Sequence, residues 1–416
     1  MSEYNLIVIG GGLSGVAAAV CAAREGLNVL LVERMGCLGG AMSNCSVYPF
    51  MKHAIKYADG TKRILSAGIF AEMCKRHREL GGVSERGWHP EIFKIMLDRL
   101  VEESNVKVMF HTQLIDVVKE DRKISAVRLL GKHGIFEVNA DYFIDASGDG
   151  DLMAYAGCEY QLGRESDGLC QPMTTNFRIS GVDIEKYKED KPHLQELFKR
   201  FNEEGKISVP RENMLINGNL GEGVLHFNST RVVKMNPLDS TDLSLAEMEA
   251  RRQVLEIYNF LRTNSDAFKN STLVLVAPEI GVRESRKLKG VHVLTADELK
   301  QCVDFEDSIA LGNYMIDIHN PDGVGTYRYR FQPEEYYRIP YRSLVPKEID
   351  NMLVAGRCLS ADHEAHSAVR IMPICACLGQ AAGTAIAQAQ HTGKTVHTVD
   401  ISAVQSKLVA NGAEIH

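Results

Sequence analysis

Six residues near the start of the chain, Gly10-Gly11-Gly12-Leu13-Ser14-Gly15, carry the G-x-G-x-x-G spacing that lets a dinucleotide pyrophosphate approach bare backbone. Gly10 permits a tight turn, Gly12 lets the pyrophosphate reach a helix N-terminus, and Gly15 lets helix and strand pack closely. Glu33 follows at the end of the next strand-like run, where an acid can accept from ribose hydroxyls. A glycine-rich turn that binds nothing is the plain alternative. The agreement in register of strand, glycines, small-residue helix and acid argues against it. The fingerprint serves NAD and FAD alike, so it points to a dinucleotide without choosing one.

A second polar group lies late in the chain: Arg357-Cys358-Leu359-Ser360-Ala361-Asp362-His363-Glu364-Ala365-His366, then Arg370. These residues read as a loop between elements and are the first candidates for a substrate face. His363 and His366 are spaced H-E-x-H, one residue short of the zincin H-E-x-x-H, so no metal is expected there. Histidines that only satisfy backbone groups are the competing reading. Earlier, Arg283 and Arg286 follow the apolar run Leu273 to Ala277, and Asp317-Ile318-His319 sits in an alternating stretch. If that stretch is a strand, Asp317 and His319 point to the same side. A carboxylate beside an imidazole suits general acid/base work, and two arginines suit an anionic or carbonyl-bearing substrate; ion pairing within a domain explains the same residues equally well. Cys375-Ala376-Cys377 is too tight for zinc or iron-sulfur ligation and reads as packing.

The elements that must position these residues are partly legible. Asn5 to Ile9 is a short apolar run ending in glycines, as a strand buried on both faces requires, and Ser14 to Glu25 is a helix of small residues with Gly26 placed for a left-handed cap before the strand Asn28 to Val32. A helix is expected from Pro90, with Phe93, Met96, Leu97, Leu100 and Val101 at helical spacing, followed by a strand Val106 to Phe110. Leu114 to Val118, Ile124 to Leu130 and Ile135 to Val138 read as a small antiparallel meander within 106–140, before a separate apolar strand Tyr142 to Ala146. Capping-box signals stand at Ser244 to Glu247 and Thr295 to Glu298. A buried-strand signal returns at Met352 to Ala355, and Ile374 to Gln390 is a helix dense in Ala and Gly with Gly393 just past its end.

The composition is that of an ordinary globular protein: 416 residues, 45% hydrophobic and 24% charged, long enough for two or three cores. Forty-seven Lys and Arg against fifty-four Asp and Glu leave a net charge of -7 without long runs of one sign, which disfavours nucleic acid as a partner. Ten cysteines at irregular spacing suit free thiols in a reducing compartment, so a cytoplasmic location is expected. The apolar stretch Leu6 to Ala23 lacks a basic leader and is interrupted early by glycines, so it reads as fold rather than as a targeting signal, and no membrane partner is expected.

Taken together, the N-terminal fingerprint, Glu33-Arg34 leading to Gly39-Gly40, the strand ending Ile144-Asp145-Ala146-Ser147-Gly148-Asp149-Gly150-Asp151, and Leu353-Val354-Ala355-Gly356-Arg357 with its small-residue helix resemble the FAD-dependent oxidoreductases of glutathione-reductase-like fold. The resemblance spans nearly the whole chain and is greater to the broad bacterial family related to the fumarate reductase and succinate dehydrogenase flavoproteins than to the disulfide reductases. It implies FAD as cofactor, with Gly10, Gly12, Gly15, Glu33, Arg34, Gly39, Gly40, Gly148, Gly356, Arg357 and Gly379 around it. It also implies that the N-terminus of the late helix points at the pyrimidine edge of the flavin. Two features depart from better-known relatives. Cys45 stands alone after the Gly-Gly pair and Cys37 precedes it, which disfavours thiol-disulfide exchange, and Gly221-Glu222-Gly223 lacks the third glycine and preceding strand of a second nucleotide fingerprint.

The expected fold class is therefore α/β: a Rossmann-like, glutathione-reductase-type FAD-binding domain with an inserted α+β substrate or cap domain. The first part of the FAD domain spans 1–160, the insertion 161–335, and the second part with the C-terminal tail 336–416. The expected activity is hydride transfer between flavin and a carbon of a small polar substrate, hydroxylated or bearing a carbonyl or carboxylate, in either direction. His319 is expected to move the proton and Arg283 to orient the substrate, with His363, His366 and Arg370 contributing from the flavin side. An unidentified electron donor or acceptor completes the cycle, and self-association is left open. The rival readings are an FAD-bearing electron-transfer subunit of a larger redox complex and a nucleotide-binding module without turnover.

Overall fold

A computed structural model describes residues 2–84 and 87–416. Strand β1 (Tyr4–Ile9) is buried along almost its whole length, so it can exist only inside a sheet covered on both faces. It leads through Gly10-Gly11-Gly12 into helix α1 (Leu13–Arg24) and on to β2 (Val29–Val32), which pairs with β1 in parallel. Gly26, at a φ of 92°, turns the chain between helix and strand. Helix α2 (Pro90–Glu103), with Pro90 in its first turn, then feeds β3 (Lys107–Met109), which adds in parallel beside β2. The βαβ unit read from the sequence is thus present.

The expected meander is present but differently partitioned. Strands β4 (Gln113–Glu120) and β5 (Lys123–Gly131) form a hairpin, and β6 runs unbroken from Gly134 to Asp145. The sequence divides this last segment into two strands, Ile135 to Val138 and Tyr142 to Ala146. The structure keeps it whole because each half has a different neighbour. Gly134 to Asn139 pairs antiparallel with β5, whereas Ala140 and Tyr142 to Asp145 pair in parallel with β1. The sheet order is β3-β2-β1-β6-β5-β4.

Residues Phe177–Ser180 (β7), Ile216–Gly221 (β8), Val224–Phe227 (β9) and Thr272–Val276 (β10) form a separate four-stranded sheet in the order β8-β9-β7-β10. Its core, around Phe177, Phe198, Phe227, Phe260 and Phe268, includes residues of helices α3 (Ile184–Glu203) and α4 (Ser240–Asn264). The Gly221-Glu222-Gly223 segment is the turn between β8 and β9. Asp239 caps α4, accepting from the backbone of Thr241 and Asp242, so the Ser244 to Glu247 capping box expected from the sequence falls inside the helix. There the Ser244 hydroxyl donates back to the Ser240 carbonyl, a common fate of serine within a helix. The Thr295 to Glu298 box forms as read. Further along, Leu294, Phe305, Tyr314 and Tyr337 belong to the core that contains Leu6, Val8 and α1.

The chain returns to the first sheet through β11 (Ile316–His319), which pairs with β12 (Thr326–Tyr329), and then β13 (Met352–Val354), which pairs in parallel with β6. Three helices follow: α5 (His363–Val369), capped by Asp362, α6 (Met372–Thr392) and α7 (Ile401–Ala410). The segment read as a polar loop around His363 is therefore helical. Helix α6 crosses α1 at backbone contact distance, because a Cβ on Gly379 would overlap the Ser14 carbonyl and one on Gly383 the Ala18 carbonyl. Overpacking costs about 1–3 kcal/mol in ordinary cores and more where backbone must move. Gly379→Ala is accordingly expected to lower the unfolding free energy by an amount at or above that range, read as a lower denaturant midpoint; an unchanged midpoint would show that the crossing is not rigid. Among the described residues, no single helix is long and apolar enough to cross a membrane.

Candidate functional site

The turn after β1 is built to leave an opening at one residue only. Gly10, at a φ of 100°, and Gly15 are pressed against backbone: a Cβ on Gly10 would overlap Ala146, and one on Gly15 would overlap the Gly10 carbonyl. Gly12 has an ordinary extended backbone, φ -65° and ψ 176°, and a Cβ there would meet nothing closer than the Gly40 Cα at 3.9 Å. No side chain caps α1, whose first amides follow Gly12, and the buried Ser14 hydroxyl beside them has no hydrogen-bond partner. An uncapped helix N-terminus, an orphaned hydroxyl and a bare wall at Gly12 and Gly40 together fit a pyrophosphate.

The remaining sequence candidates for the cofactor divide. Glu33 is buried and takes the Gly11 amide on one carboxylate oxygen and the Met35 amide on the other, each at 2.7 Å. It therefore holds the turn in shape, with one lone pair per oxygen remaining for a ribose hydroxyl. The Gly39 amide donates to the Gly11 carbonyl at 2.8 Å, bringing Gly39-Gly40 against the same turn. Arg34 is more than half exposed and pairs with Glu279 at 2.7 Å. Gly148, at a φ of 83°, lies under the Arg357 guanidinium, which pairs with Asp149 at 2.7 Å. Burial alone would raise the Asp149 carboxyl, but Arg357 and the Ser285 hydroxyl hold it below its ordinary range. Gly356, at a φ of 99°, faces the Ser14 side chain across the crossing of the last strand with α1. Gly379 is the exception. Its missing side chain makes room for Ser14 of α1, so helix packing by itself already requires a glycine there.

The catalytic candidates divide as well. Asp317 and His319 both lie on β11, on one side of it as alternation requires, with His319 Nε2 3.4 Å from an Asp317 carboxylate oxygen. Arg231 Nη2 donates to His319 Nδ1 at 3.1 Å, so the ring proton sits on Nε2 toward Asp317. Asp317 also accepts from Arg328 at 2.9 Å and from the Tyr314 hydroxyl at 3.2 Å. Burial pushes Asp317 up, yet His319 and Arg328 outweigh it and hold the carboxylate well below its usual range. His319 goes the other way: burial and the nearby Arg283 push it down to about 3, leaving the imidazole neutral.

Arg283 and Arg370 join this group. Arg283 donates to the Pro172 carbonyl, to the Thr174 hydroxyl at 2.5 Å and to the Asn228 side-chain carbonyl at 3.4 Å. Arg370, just past α5, reaches Gln171 Oε1 at 3.4 Å, and the same oxygen lies 3.4 Å from the His319 backbone amide. Burial, and then Arg370, Arg211 and Arg231, depress the Arg283 pKa well below its ordinary value.

His363, His366 and Arg286 do not join it. His366 is fully buried and its Nε2 donates to the Arg357 carbonyl at 2.8 Å, which is the backbone-satisfying alternative weighed from the sequence. Burial depresses its pKa strongly, so it stays neutral. His363 Nδ1 contacts Glu284 at 2.8 Å, and Glu284 in turn pairs with the buried Lys287 at 2.5 Å. Despite its burial, Glu284 is held down at about 2 by the His363 hydrogen bond and the charges around it. Arg286 pairs with Asp151 at 3.0 Å. Among the described residues no group of three or more His, Cys, Asp or Glu side chains is arranged to hold a metal ion.

Sequence reasoning passed over Arg211, Arg231, Tyr314 and Gln171, all of which line the cluster. Nothing in their local sequence marks them, because they come from four separate segments that only the tertiary fold assembles.

A family model described as FAD dependent oxidoreductase matches residues 5–408. A digeranylgeranylglycerophospholipid reductase of Thermoplasma volcanium is 25% identical over 204 residues, covering 44% of this chain and 49% of that protein. The match thus spans about half the length of that relative. A soluble pyridine nucleotide transhydrogenase of Mycobacterium bovis is 28% identical over 192 residues, covering 41% of this chain and 36% of that one. Among solved structures, a geranylgeranyl bacteriochlorophyll reductase-like protein of Thermoplasma acidophilum superposes with a TM-score of 0.49 at 12% identity, covering 99% of this chain and 84% of that one.

Proposed function

Because the chain belongs to the FAD-dependent oxidoreductase family, we propose that it transfers a hydride between the flavin and a carbon of a small substrate bearing a carboxylate or an activated carbonyl, bound at the Arg283–His319 cluster. The observation that carries this reading is the pairing of His319 with Asp317 beside Gln171 Oε1, which lies 3.4 Å from both Arg370 and the His319 amide. Kinship with the fumarate reductase and succinate dehydrogenase flavoproteins is part of the same reading and rests on the sequence segments quoted above.

The turn of Gly10 to Gly15 with Gly39-Gly40 would hold the pyrophosphate of FAD, Glu33 a ribose, and the region of Gly148, Gly356 and Arg357 the part of the cofactor beyond it. Bound FAD supplies the hydride donor or acceptor. Arg283 and Arg370 orient the substrate, since guanidinium groups offer paired donors to a carboxylate and polarise a carbonyl. His319 moves the proton. Asp317 fixes its tautomer, and Arg231 occupies Nδ1 until a bound anion draws that guanidinium away. His363 and Glu284 act as positioning residues, because Glu284 accepts from the Gln171 backbone amide at 3.0 Å and Gln171 stands between Arg370 and His319. The 177–276 module acts as the cap over this site.

The test is anaerobic mixing of FAD-loaded protein with a panel of hydroxylated, carbonyl-bearing and unsaturated carboxylates. Bleaching of the oxidised flavin, or reoxidation of the reduced flavin, by a small molecule alone supports the reading. A flavin that answers only to another redox protein would replace it with the electron-transfer-subunit reading.

A further inference from the structure

One face of the four-stranded sheet carries buried polar groups that the Arg283–His319 cluster does not use. Phe177 and Ile179 of β7 and Leu225 and Phe227 of β9 turn to the core that includes residues of α3 and α4, so alternation sends Arg178 and His226 to the other face. His226 stands directly opposite Arg178 on one neighbouring strand and Asn217 on the other, which makes a row across three strands. Side chains from residues 48 to 91 cover that row. The Tyr48 ring meets His226 edge-on, with 5.5 Å between centroids, Asn217 donates to the Tyr48 carbonyl at 3.3 Å, and the Trp88 ring lies 4.9 Å from Tyr48. Arg178 approaches Glu91 of α2 at 4.0 Å.

Few of these polar atoms are satisfied. His226 is fully buried, and neither of its ring nitrogens has a hydrogen-bond partner in the protein. Trp88 Nε1 and Arg178 Nε are buried donors without acceptors, and Asn176 Oδ1, two residues before Arg178 and so on the same face, is a buried acceptor without a donor. Folded proteins pair nearly all such groups, and orphans gathered in one place mark where something else supplies the partners. The chemistry of the set narrows what that is. Burial pushes His226 down to about 3, so the imidazole is neutral, with one nitrogen donating and the other accepting. Arg178 has Glu91 beside it, so the row offers an anion little net charge. Donors and acceptors together suit a hydroxyl, which is both, whereas a carboxylate only accepts and an ammonium only donates. Arg178 and Trp88 keep partial exposure, so the row is not sealed from solvent. It also continues toward the proposed reaction centre: Asn228 follows His226 by two residues, about 7 Å along an extended chain, and its side-chain carbonyl accepts from Arg283 at 3.4 Å.

We infer that the substrate is elongated and carries an uncharged hydroxyl group at its far end, received by His226, Arg178 and Trp88 about 7 Å beyond the Arg283–His319 cluster. The inference rests on the proposed function for the reacting end of that molecule, and it adds a distal subsite that decides which molecules are accepted. His226 is the main specificity-determining residue, since it offers the hydroxyl both a donor and an acceptor.

The experiment titrates FAD-loaded protein, at fixed ionic strength, with three chains of equal length that differ only at the far end: hexanoate, 6-hydroxyhexanoate and adipate. Melting temperature and the flavin difference spectrum are read in parallel. The hydroxy acid is expected to bind at least about tenfold more tightly than hexanoate, because a site built to bond a hydroxyl is left with unpaired groups by the analogue that lacks one. Adipate should bind no better than the hydroxy acid, since its second carboxylate brings acceptors alone. His226→Phe keeps a ring and removes both nitrogens. It should bring the ratio of the two affinities close to one while the ligand-free melting temperature holds or rises, because two unpaired buried atoms are gone. A histidine that only supported the fold would do the reverse, lowering the melting temperature and leaving the ratio as it was. Trp88→Phe, which removes the indole N–H, should lower the ratio in part, and it covers the case in which His226→Phe fails to fold. Equal affinity for hexanoate and 6-hydroxyhexanoate would show that water satisfies the orphaned atoms, and would overturn the inference while leaving the proposed reaction standing. Tightest binding by adipate would overturn it as well. A hydroxyl preference that His226→Phe removes, with neither acid weakened by Arg283→Ala, would support the distal subsite and overturn the anchoring role assigned to Arg283.

Discussion

Gly12→Val is expected to yield a folded protein that leaves a gel-filtration column without FAD. The backbone at Gly12 is one that any residue adopts, and the first carbon of a new side chain stands 3.9 Å from the nearest atom facing it. Folding therefore tolerates the change. The branched side chain instead fills the gap between the start of α1 and Gly40, which is where the pyrophosphate must come within hydrogen-bonding distance of the helix amides. Loss of those contacts is expected to weaken FAD by at least about a hundredfold, roughly 3 kcal/mol, and to lower the melting temperature by the stabilisation the bound cofactor contributes. The neighbouring glycines behave differently. Gly10→Ala and Gly15→Ala force a Cβ into backbone, so they should reduce the yield of folded protein before cofactor affinity can be measured. A Gly12→Val protein that retains a full complement of flavin would remove this turn from the cofactor site.

His319→Ala is the second large effect: with any substrate that reacts with the flavin, turnover should fall by about a hundredfold or more while FAD stays bound. Arg283→Ala should act mainly through the Michaelis constant if the arginine only anchors an anion, and through both constants if it also polarises a carbonyl in the transition state. The pH dependence carries its own sign. His319 is held near 3 in the free protein by burial and by Arg283, so it is neutral across the working range. A bound anion offsets the arginines and raises that pKa, so at pH values low enough to lie near the raised pKa binding takes up a proton and affinity strengthens as pH falls. Calorimetric titration in buffers of different ionisation enthalpy, carried down toward about pH 4, measures that proton directly, and zero uptake across that range would show that His319 does not respond to the ligand. His366→Ala is the contrast. It removes a donor from the Arg357 carbonyl and should cost about 1–3 kcal/mol of stability with kinetic constants unchanged. If instead His366→Ala is inactive and His319→Ala is not, the proton-transfer group lies near α5 and the assignment to β11 fails.

What the sequence by itself determined is what local chemistry dictates. The glycine turn, the small-residue helix, the parallel βαβ unit and the Asp317–His319 pair are each set by residues within a few positions of one another, where period and side-chain size leave few alternatives. Glu33 was legible as an acid at the end of the second strand, although its two backbone contacts with the turn were not, because they depend on how Gly11 and Met35 fold back onto it. The division of 134–145 into two strands failed because a polar interruption at Asn139 and Asp141 looks like a break until two different sheet neighbours are known. His363 and His366 were legible as polar residues near one another, but their partners were not, since Glu284 and the Arg357 carbonyl reach them only in the folded chain. The arginine cluster is the opposite case. Arg211, Arg231, Arg283 and Arg370 come from separate segments with no shared motif, and mutual repulsion between side chains up to 159 residues apart exists only once the tertiary structure brings their charges together.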